Sequence, residues 1–573
     1  MSLRLPFLGI NFLLVWLPGL SALWSTELRT LEALSPTQFT DEVLVDGQSD
    51  QGFLRMNSFV DLQQSGPLQL ETLRLGGARS SDVGFFLEGI PLGSEALGPT
   101  DLREAFPAGL ESIQILRGSY LPLSSYSQGQ VHLRMRRDES RRLNLGYGSF
   151  HWRLVELEAE NVAFSYQASE NDFFVESDSG RTRQQGYGAK RIALRSRFEF
   201  QNLELIHQLT YTRAESGQGF GTETASPLLG AKGRLKDWRW TAWIAGRQQQ
   251  LLIDGSSNWS LRAGQRIERI WILRPQHSLE MSFETRQDQL WNQDFESPFR
   301  SSSDLVLGWL WTPSSGNLIQ SRLKTDWISD LNTKAWSLQP QVGGRHALNE
   351  AARFLWNISI TSLAPDFYDL YTENQGEFFE FVPNPELKRE TKLSADMGVE
   401  FQISEQLRWR QILKVSRTWD LIQKSVLIDE DLNRYQAQNS QGLASQQSLE
   451  SQVNWTGERF HLKLQHRYLI SLADGFRNPY TPEHQITLLP HFSLMDSWSL
   501  KLPLWIRSPI TTRTDEGGQI GWQYDLGLES RLSWRNWEFQ MQVFNLLRWK
   551  RRDNPFQALP EETWFQTQLR LQF

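Results

Sequence analysis

Residues 191 to 211 alternate strictly. In RIALRSRFEF, Ile192, Leu194, Phe198 and Phe200 fall on one side, and Arg191, Arg195, Arg197 and Glu199 on the other. A strand sends successive side chains to opposite faces, so this spacing predicts a strand with one apolar and one charged face. Gln201–Asn202 reads as a tight turn, and LELIHQLTY continues with Leu203, Leu205, Leu209 and Tyr211 aligned, completing an amphipathic hairpin. WQYDLGLESRLSW repeats the theme through Trp522, Tyr524, Leu526, Leu528, Leu532 and Trp534. After the turn at Arg535–Asn536 come Trp537, Phe539, Met541 and Val543. The final segment, TWFQTQLRLQF, aligns Phe565, Thr567, Leu569, Leu571 and Phe573 against Gln566, Gln568, Arg570 and Gln572. Such segments recur between polar turns from about residue 140 onward.

A single alternating strand fits a soluble sandwich as well as a membrane barrel. Repetition over most of a 573-residue chain favours the barrel, because a single soluble core seldom grows so large. Aromatics at strand ends (Trp522, Trp534, Trp537, Trp549) fit girdles at two membrane interfaces. Tight turns alternate with long polar stretches such as RAESGQGFGTETASP, the asymmetry expected of short turns at one rim and long loops at the other.

Composition points the same way. The chain is polar on average, yet carries 24 Trp and 32 Phe; a polar lumen with an apolar, aromatic-girdled exterior does both. The net charge of −7 leaves no footprint for nucleic acid. Cysteine is absent, which excludes disulfides, thiol catalysis and thiolate metal sites. Arg4 precedes the apolar run Leu5 to Leu20, followed by the small residues Ser21, Ala22 and Ser25. This reads as a secretory leader cut near Ala22 or Ser25 rather than a spanning helix, being short of the ~20 residues required and containing Pro6 and Pro18. A secreted chain with no helical span crosses a membrane only as a closed barrel.

Residues 26–138 differ from the rest. They mix Gly-rich turns, short apolar runs and one predicted helix around DLREAFPAGLESI, and the charged break RMRRDESRR follows. The organisation predicted is a leader (1–25), an N-terminal segment (26–47), a small α/β domain (48–138) and a barrel (139–573).

Four motifs, in order, carry a family resemblance. SDVGFFLEGIPL has an apolar strand, an acidic residue, Gly and an apolar-Pro-Leu run, and DLREAFPAGLESIQILRGS follows with Ile113, Ile115, Arg117 and Gly118. APDFYDLY (Ala364 to Tyr371) precedes PNPELKRET (Pro383 to Thr391). VFNLL spans Val543 to Leu547, and Phe573 is terminal. Together they resemble the TonB-dependent outer-membrane receptors, in which a plug fills a transmembrane β-barrel of about 22 antiparallel strands. The resemblance implies plug-motif roles for Gly76, Gly77, Glu88, Gly89, Arg117 and Gly118, and an assembly signal at Phe573 read by the barrel assembly machinery. It implies a TonB box at Thr40, Asp41, Glu42, Val43, Leu44 and Val45, a segment that pairs edge to edge with a strand of TonB. An ordinary plug strand would read the same way. The plug apex would offer Arg79, Ser80 and Ser81 to ligand.

The implied partners are the TonB–ExbB–ExbD energising complex, outer-membrane lipid and lipopolysaccharide, and a small-molecule ligand; no resident cofactor or metal and no catalytic residue is expected. The implied function is import of a scarce, bulky nutrient, such as a siderophore or corrinoid, across the outer membrane of a Gram-negative bacterium. Two departures bear on this. Gly76–Gly77 stand where the family has Arg–Gly, and the segment between residue 47 and Gly76 is short, so the plug reads as reduced. A plugged barrel that is passive or only binds at the surface is the alternative. RWKRRD, with Arg548, Lys550, Arg551 and Arg552, reads as a basic outer-loop patch for lipopolysaccharide phosphates or an anionic ligand. His461 and His466, five apart, should point to opposite faces of one strand.

Overall fold

The computed structural model describes residues 39–44, 59–64, 71–75, 83–92, 102, 109–117, 129–137, 140–177, 180–215, 221–252, 257–292, 298–314, 316–330, 334–371, 374–376, 379–427, 433–474, 476–477, 481–511, 519–547 and 563–573. All lie in one compact unit, Pro36–Phe573. The leader, Val45, Gly76, Gly77, Arg79, Ser80, Ser81, Gly118, Trp549 and the basic RWKRRD patch fall outside the described residues.

From Arg142 onward the chain forms a closed antiparallel barrel of 22 strands. The last strand, Trp564–Gln572, pairs with the first, Arg142–Gly148, from Gln566↔Gly148 to Gln572↔Arg142. Closure leaves no unpaired edge, the condition for a sheet to sit in hydrocarbon. Most strands are long, from 12 residues in Ala352–Leu363 to 21 in Gly180–Phe200, beyond the ~9–11 that span a bilayer. At one rim the turns hold two to four residues. Gln201, Lys236 and Arg535 adopt positive φ there, as tight hairpins between right-twisted strands require. At the other rim connections extend to residues 364–389 and 420–443. The stretch Arg213 to Pro227, predicted as a long loop, is mostly paired: the ladder continues through Arg213↔Glu223 to Glu215↔Gly221. Cross-strand polar pairs hold it there, and polarity alone had disguised it as a loop.

Burial is inverted relative to a soluble protein. On Gly180–Phe200, Arg195 is 0% exposed while Phe200 is 56% exposed. Among the described residues, the largest fully buried side chains are Arg195, Arg262, Arg300 and Arg467. Leu229, Ile244, Phe283, Leu307 and Leu338 all face outward. Trp522, Trp534 and Trp537 are exposed near strand ends, as girdle residues should be.

The lumen holds a five-stranded sheet. β1 is Phe39–Leu44, β2 Val60–Gln64, β3 Glu71–Leu75, β4 Val83–Leu87, β5 Ile90–Leu92, β6 Leu110–Arg117 and β7 Gly129–Met135. The sheet runs β1-β6-β7-β4-β5, with β4 and β7 parallel, and β2 and β3 form a separate hairpin. Its core gathers Val83, Phe85, Leu87, Ile90, Ile113, Ile115, Val131 and Leu133, and the wall contributes Ile206, Leu228, Trp243 and Ala245 to the same cluster. Leu110–Ile113, the end of the predicted helix, are strand instead. Ile113 and Ile115 are both fully buried, so the two-residue period overrides the helical spacing.

Candidate functional site

A small β-hairpin seats the plug on the wall. β4 and β5 are joined by Glu88 and Gly89, with φ of 51° and 81°. Two consecutive positive φ values make the tight turn that matches strand twist, and Gly tolerates this at no steric cost. The turn carries one carboxylate into a nearly closed space. The Glu88 side chain is 5% exposed. Its Oε1 accepts the Met135 backbone N–H at 2.6 Å. Its Oε2 lies 3.5 Å from both Arg137 Nη2 and Lys232 Nζ. Glu88 thus ties the hairpin tip to the chain leaving the plug for the barrel, and to the wall.

The wall answers with cations. Lys232 Nζ donates to the Glu88 carbonyl at 2.9 Å and lies 3.3 Å from Glu204 Oε2. Arg266 Nη2 donates to the Gly89 carbonyl at 2.9 Å, and Arg266 pairs with Glu284 at 3.5 Å. A second anchor holds the start of β6, where Glu158 accepts the Gly109 N–H at 3.1 Å and lies 3.4 Å from Arg136 Nε. Glu158, Lys232 and Glu204 sit near the short-turn rim. Farther along, Gln485 Nε2 donates to the Val60 carbonyl at 3.3 Å. These polar contacts add to the apolar contact that the plug core makes with Ile206, Leu228, Trp243 and Ala245 of the wall.

Behind the hairpin the wall is an ionic lattice. Arg262 pairs with Asp288 at 2.5 Å, Arg286 with Asp288 at 3.3 Å and with Glu284 at 3.9 Å. Each member sits among opposite charges, the arrangement that makes a buried charge tolerable.

At the long-loop rim, the helix α1 (Phe367–Tyr371) packs against the wall, with Phe367 and Leu370 buried beside Leu290. Arg300 donates to the Pro365 carbonyl at 2.9 Å, pairs with Asp330 at 3.2 Å and lies 4.4 Å over the Phe367 ring. Tyr371 donates to Asp330 at 3.2 Å. Arg389 in the following motif binds Asp326 and Ser362. Loops 364–389 and 420–443 then join in one four-stranded sheet through the parallel pair Phe379↔Asn433. The two motifs thus anchor a cap of paired loops to the barrel wall at this rim.

Of the residues singled out in the sequence, Glu88 and Gly89 form the hairpin tip that meets Lys232 and Arg266. Arg117 ends β6, opposite Phe39 and Gly129. Thr40 to Leu44 lie in β1, an edge strand laddered to β6 from Thr40↔Leu116 to Leu44↔Ser112. Phe573 is exposed, and its N–H donates to the Arg141 carbonyl at 2.9 Å. Lys232, Arg266, Glu158 and Arg300 were not singled out. Their only signal was a charged face repeated on many strands.

No family model matches the chain, and no curated protein matches it in sequence. Solved structures match it in fold. The siderophore receptor PirA from Acinetobacter baumannii superposes with a TM-score of 0.73 at 11% identity, over 96% of this chain and 100% of that one. The FrpB iron transporter from Neisseria meningitidis gives 0.72 at 10% identity, over 91% and 96%. The copper transporter OprC gives 0.73 at 13% identity, over 90% and 94%. The chain has the plugged-barrel fold of the TonB-dependent receptors.

Proposed function

We propose that this chain is a TonB-dependent outer-membrane importer, not an enzyme, taking up a scarce and bulky nutrient such as a metal chelate or a corrinoid. The observation that carries the reading is the seating of the plug. A barrel this wide is an open pore unless filled, and here the filling is held by the Glu88–Lys232 and Gly89–Arg266 contacts beside an apolar patch. The short-turn rim is then periplasmic and the capped rim faces outside. Ligand would enter beneath the cap. TonB would pair with the segment Thr40–Val45, and tension on β1 would pass to its ladder partner β6. Peeling β1 from β6 breaks one pair at a time, which needs less force than shearing the whole ladder at once. The fold's solved relatives named above are described as receptors and transporters of siderophore, iron and copper, which supports this class of cargo.

A second reading draws on one observation. β1 is already laddered into the plug sheet, as an ordinary plug strand would be. In that case the barrel is passive or binds at the surface. Growth separates the two readings. A host lacking its own uptake receptors, expressing this chain, is supplied with limiting ferric chelates or corrinoid. Rescue that vanishes on deletion of TonB supports the importer. Rescue that survives the deletion supports the passive barrel.

A further inference from the structure

Four of the nine histidines lie on one pair of adjacent strands, Phe460–Ala473 and His484–Met495, and they form two pairs on opposite faces. His466 and His484 share the parity of the outward residues, with Nε2 and Nδ1 3.2 Å apart. His461 shares the parity of Gln465 and Arg467, both fully buried toward the lumen, and His491 that of Gln485 and Thr487. In the ladder His461 stands directly opposite His491.

We propose that His461 and His491 form a binding site for a divalent transition-metal ion of the imidazole-seeking class, Cu²⁺, Zn²⁺ or Ni²⁺. Three observations carry it. The ring centres lie 5.5 Å apart with planes tilted by 30°. Two imidazoles sharing one ion, with nitrogens at roughly 2 Å and a near-tetrahedral angle, place their centres about 5 Å apart. His491 Nε2 is buried with no hydrogen-bond partner, and an orphaned imidazole nitrogen is costly unless a ligand occupies it. Both rings line a cavity of ≈ 760 Å³ near the short-turn rim, with room for the ion's remaining ligands.

The surrounding charges permit an ion. Lys501 faces His491 across the ladder, but its Nζ is held by Glu529 at 2.9 Å. Arg531, which also lines the cavity, is held by Glu538. Lys463 lines it too, two residues beyond His461. Among the described residues no group of three or more His, Cys, Asp or Glu could hold a metal, so the protein supplies two ligands and leaves the others to water or to a chelate. Such an open site exchanges its ion readily. It lies on the short-turn side of the plug contact at Gln485. The proposal does not depend on energised transport.

The test uses the purified full chain in detergent micelles, in a His466→Phe, His484→Phe background that removes the outward pair. Cu²⁺ is titrated, with affinity read by calorimetry and ligation by electron paramagnetic resonance. The proposal expects one Cu²⁺ per chain with hyperfine coupling from two imidazole nitrogens. It expects affinity at least tenfold weaker in His461→Phe or His491→Phe, where an aromatic ring preserves packing but offers no ligand. Retained mobility in unheated gels confirms that each barrel is folded. A folded background protein that binds no Cu²⁺, or inner-pair variants that bind it with unchanged affinity and spectrum, would overturn the assignment.

Discussion

Ile90 occupies the space that a side chain at Gly230 would need. A Cβ placed on Gly230 would lie 2.1 Å from Ile90 Cδ1. Ile90 is fully buried, so its methyl has little room to retreat. The plug hairpin therefore fits the wall by shape as well as by charge.

Gly230→Val should unseat the hairpin. Overpacking of this kind costs ~1–3 kcal/mol, and the amides of residues 83–92 should exchange faster while the barrel strands keep their protection. Adding Ile90→Ala should restore much of the loss, since contacting residues couple by roughly 0.5–3 kcal/mol. Independent, additive effects in hydrogen exchange would show that the two side chains do not share this space.

Glu88→Ala removes the acceptor for Met135 N–H and one of the two carboxylates beside Lys232. Leaving buried groups unpaired costs about 1–3 kcal/mol. Amides in 83–92 and 129–137 should exchange about tenfold faster, the factor that corresponds to ~1.4 kcal/mol. Glu88→Gln, which keeps an acceptor without the charge, should fall between. Unchanged exchange in Glu88→Ala would mean that Glu88 does not hold the hairpin.

The inverted burial makes two opposite demands. Asp288→Ala removes the carboxylate that pairs with both Arg262, whose side chain is 1% exposed, and Arg286, and should cost ~3–5 kcal/mol. Leu307→Arg places a charge on the outer face and should cost ~2–4 kcal/mol if that face meets lipid. Urea unfolding in liposomes measures both. A neutral Leu307→Arg would mean that the outer face is wet.

The cap depends on Arg300. Arg300→Ala removes the Pro365 and Asp330 contacts and the cation under Phe367. Limited proteolysis should then cut the segment 364–371 several-fold faster, with the barrel left intact. Equal cleavage rates would assign the anchoring to Arg389 instead.

Much of this was legible in the sequence, for a physical reason. Alternation is local, so Arg195 inside and Phe200 outside follow from spacing once a membrane is assumed. The opposite faces of His461 and His466 follow likewise. Glu88–Gly89 was singled out by its likeness to a family motif, and the turn it makes was not read from the sequence. The partners were not. Lys232 lies 144 residues from Glu88, and nothing near either residue signals the contact. The His461–His491 pair depends on the register across residues 474–483, which parity alone does not set. The Leu110–Ile113 segment misled because Leu102, Phe106 and Leu110 repeat every four residues, while the pairing of β6 with β1 and β7 decides its conformation.

Energised import requires that the chain bind TonB through the segment Thr40–Val45. The purified full chain would be titrated calorimetrically with the periplasmic domain of the host's TonB, beside a Val43→Pro variant. Proline removes a ladder donor and blocks strand pairing. Saturable binding that Val43→Pro abolishes is the predicted result. No binding by the folded wild-type chain, or equal binding by both, would contradict the role assigned to Thr40–Val45 and favour the passive barrel.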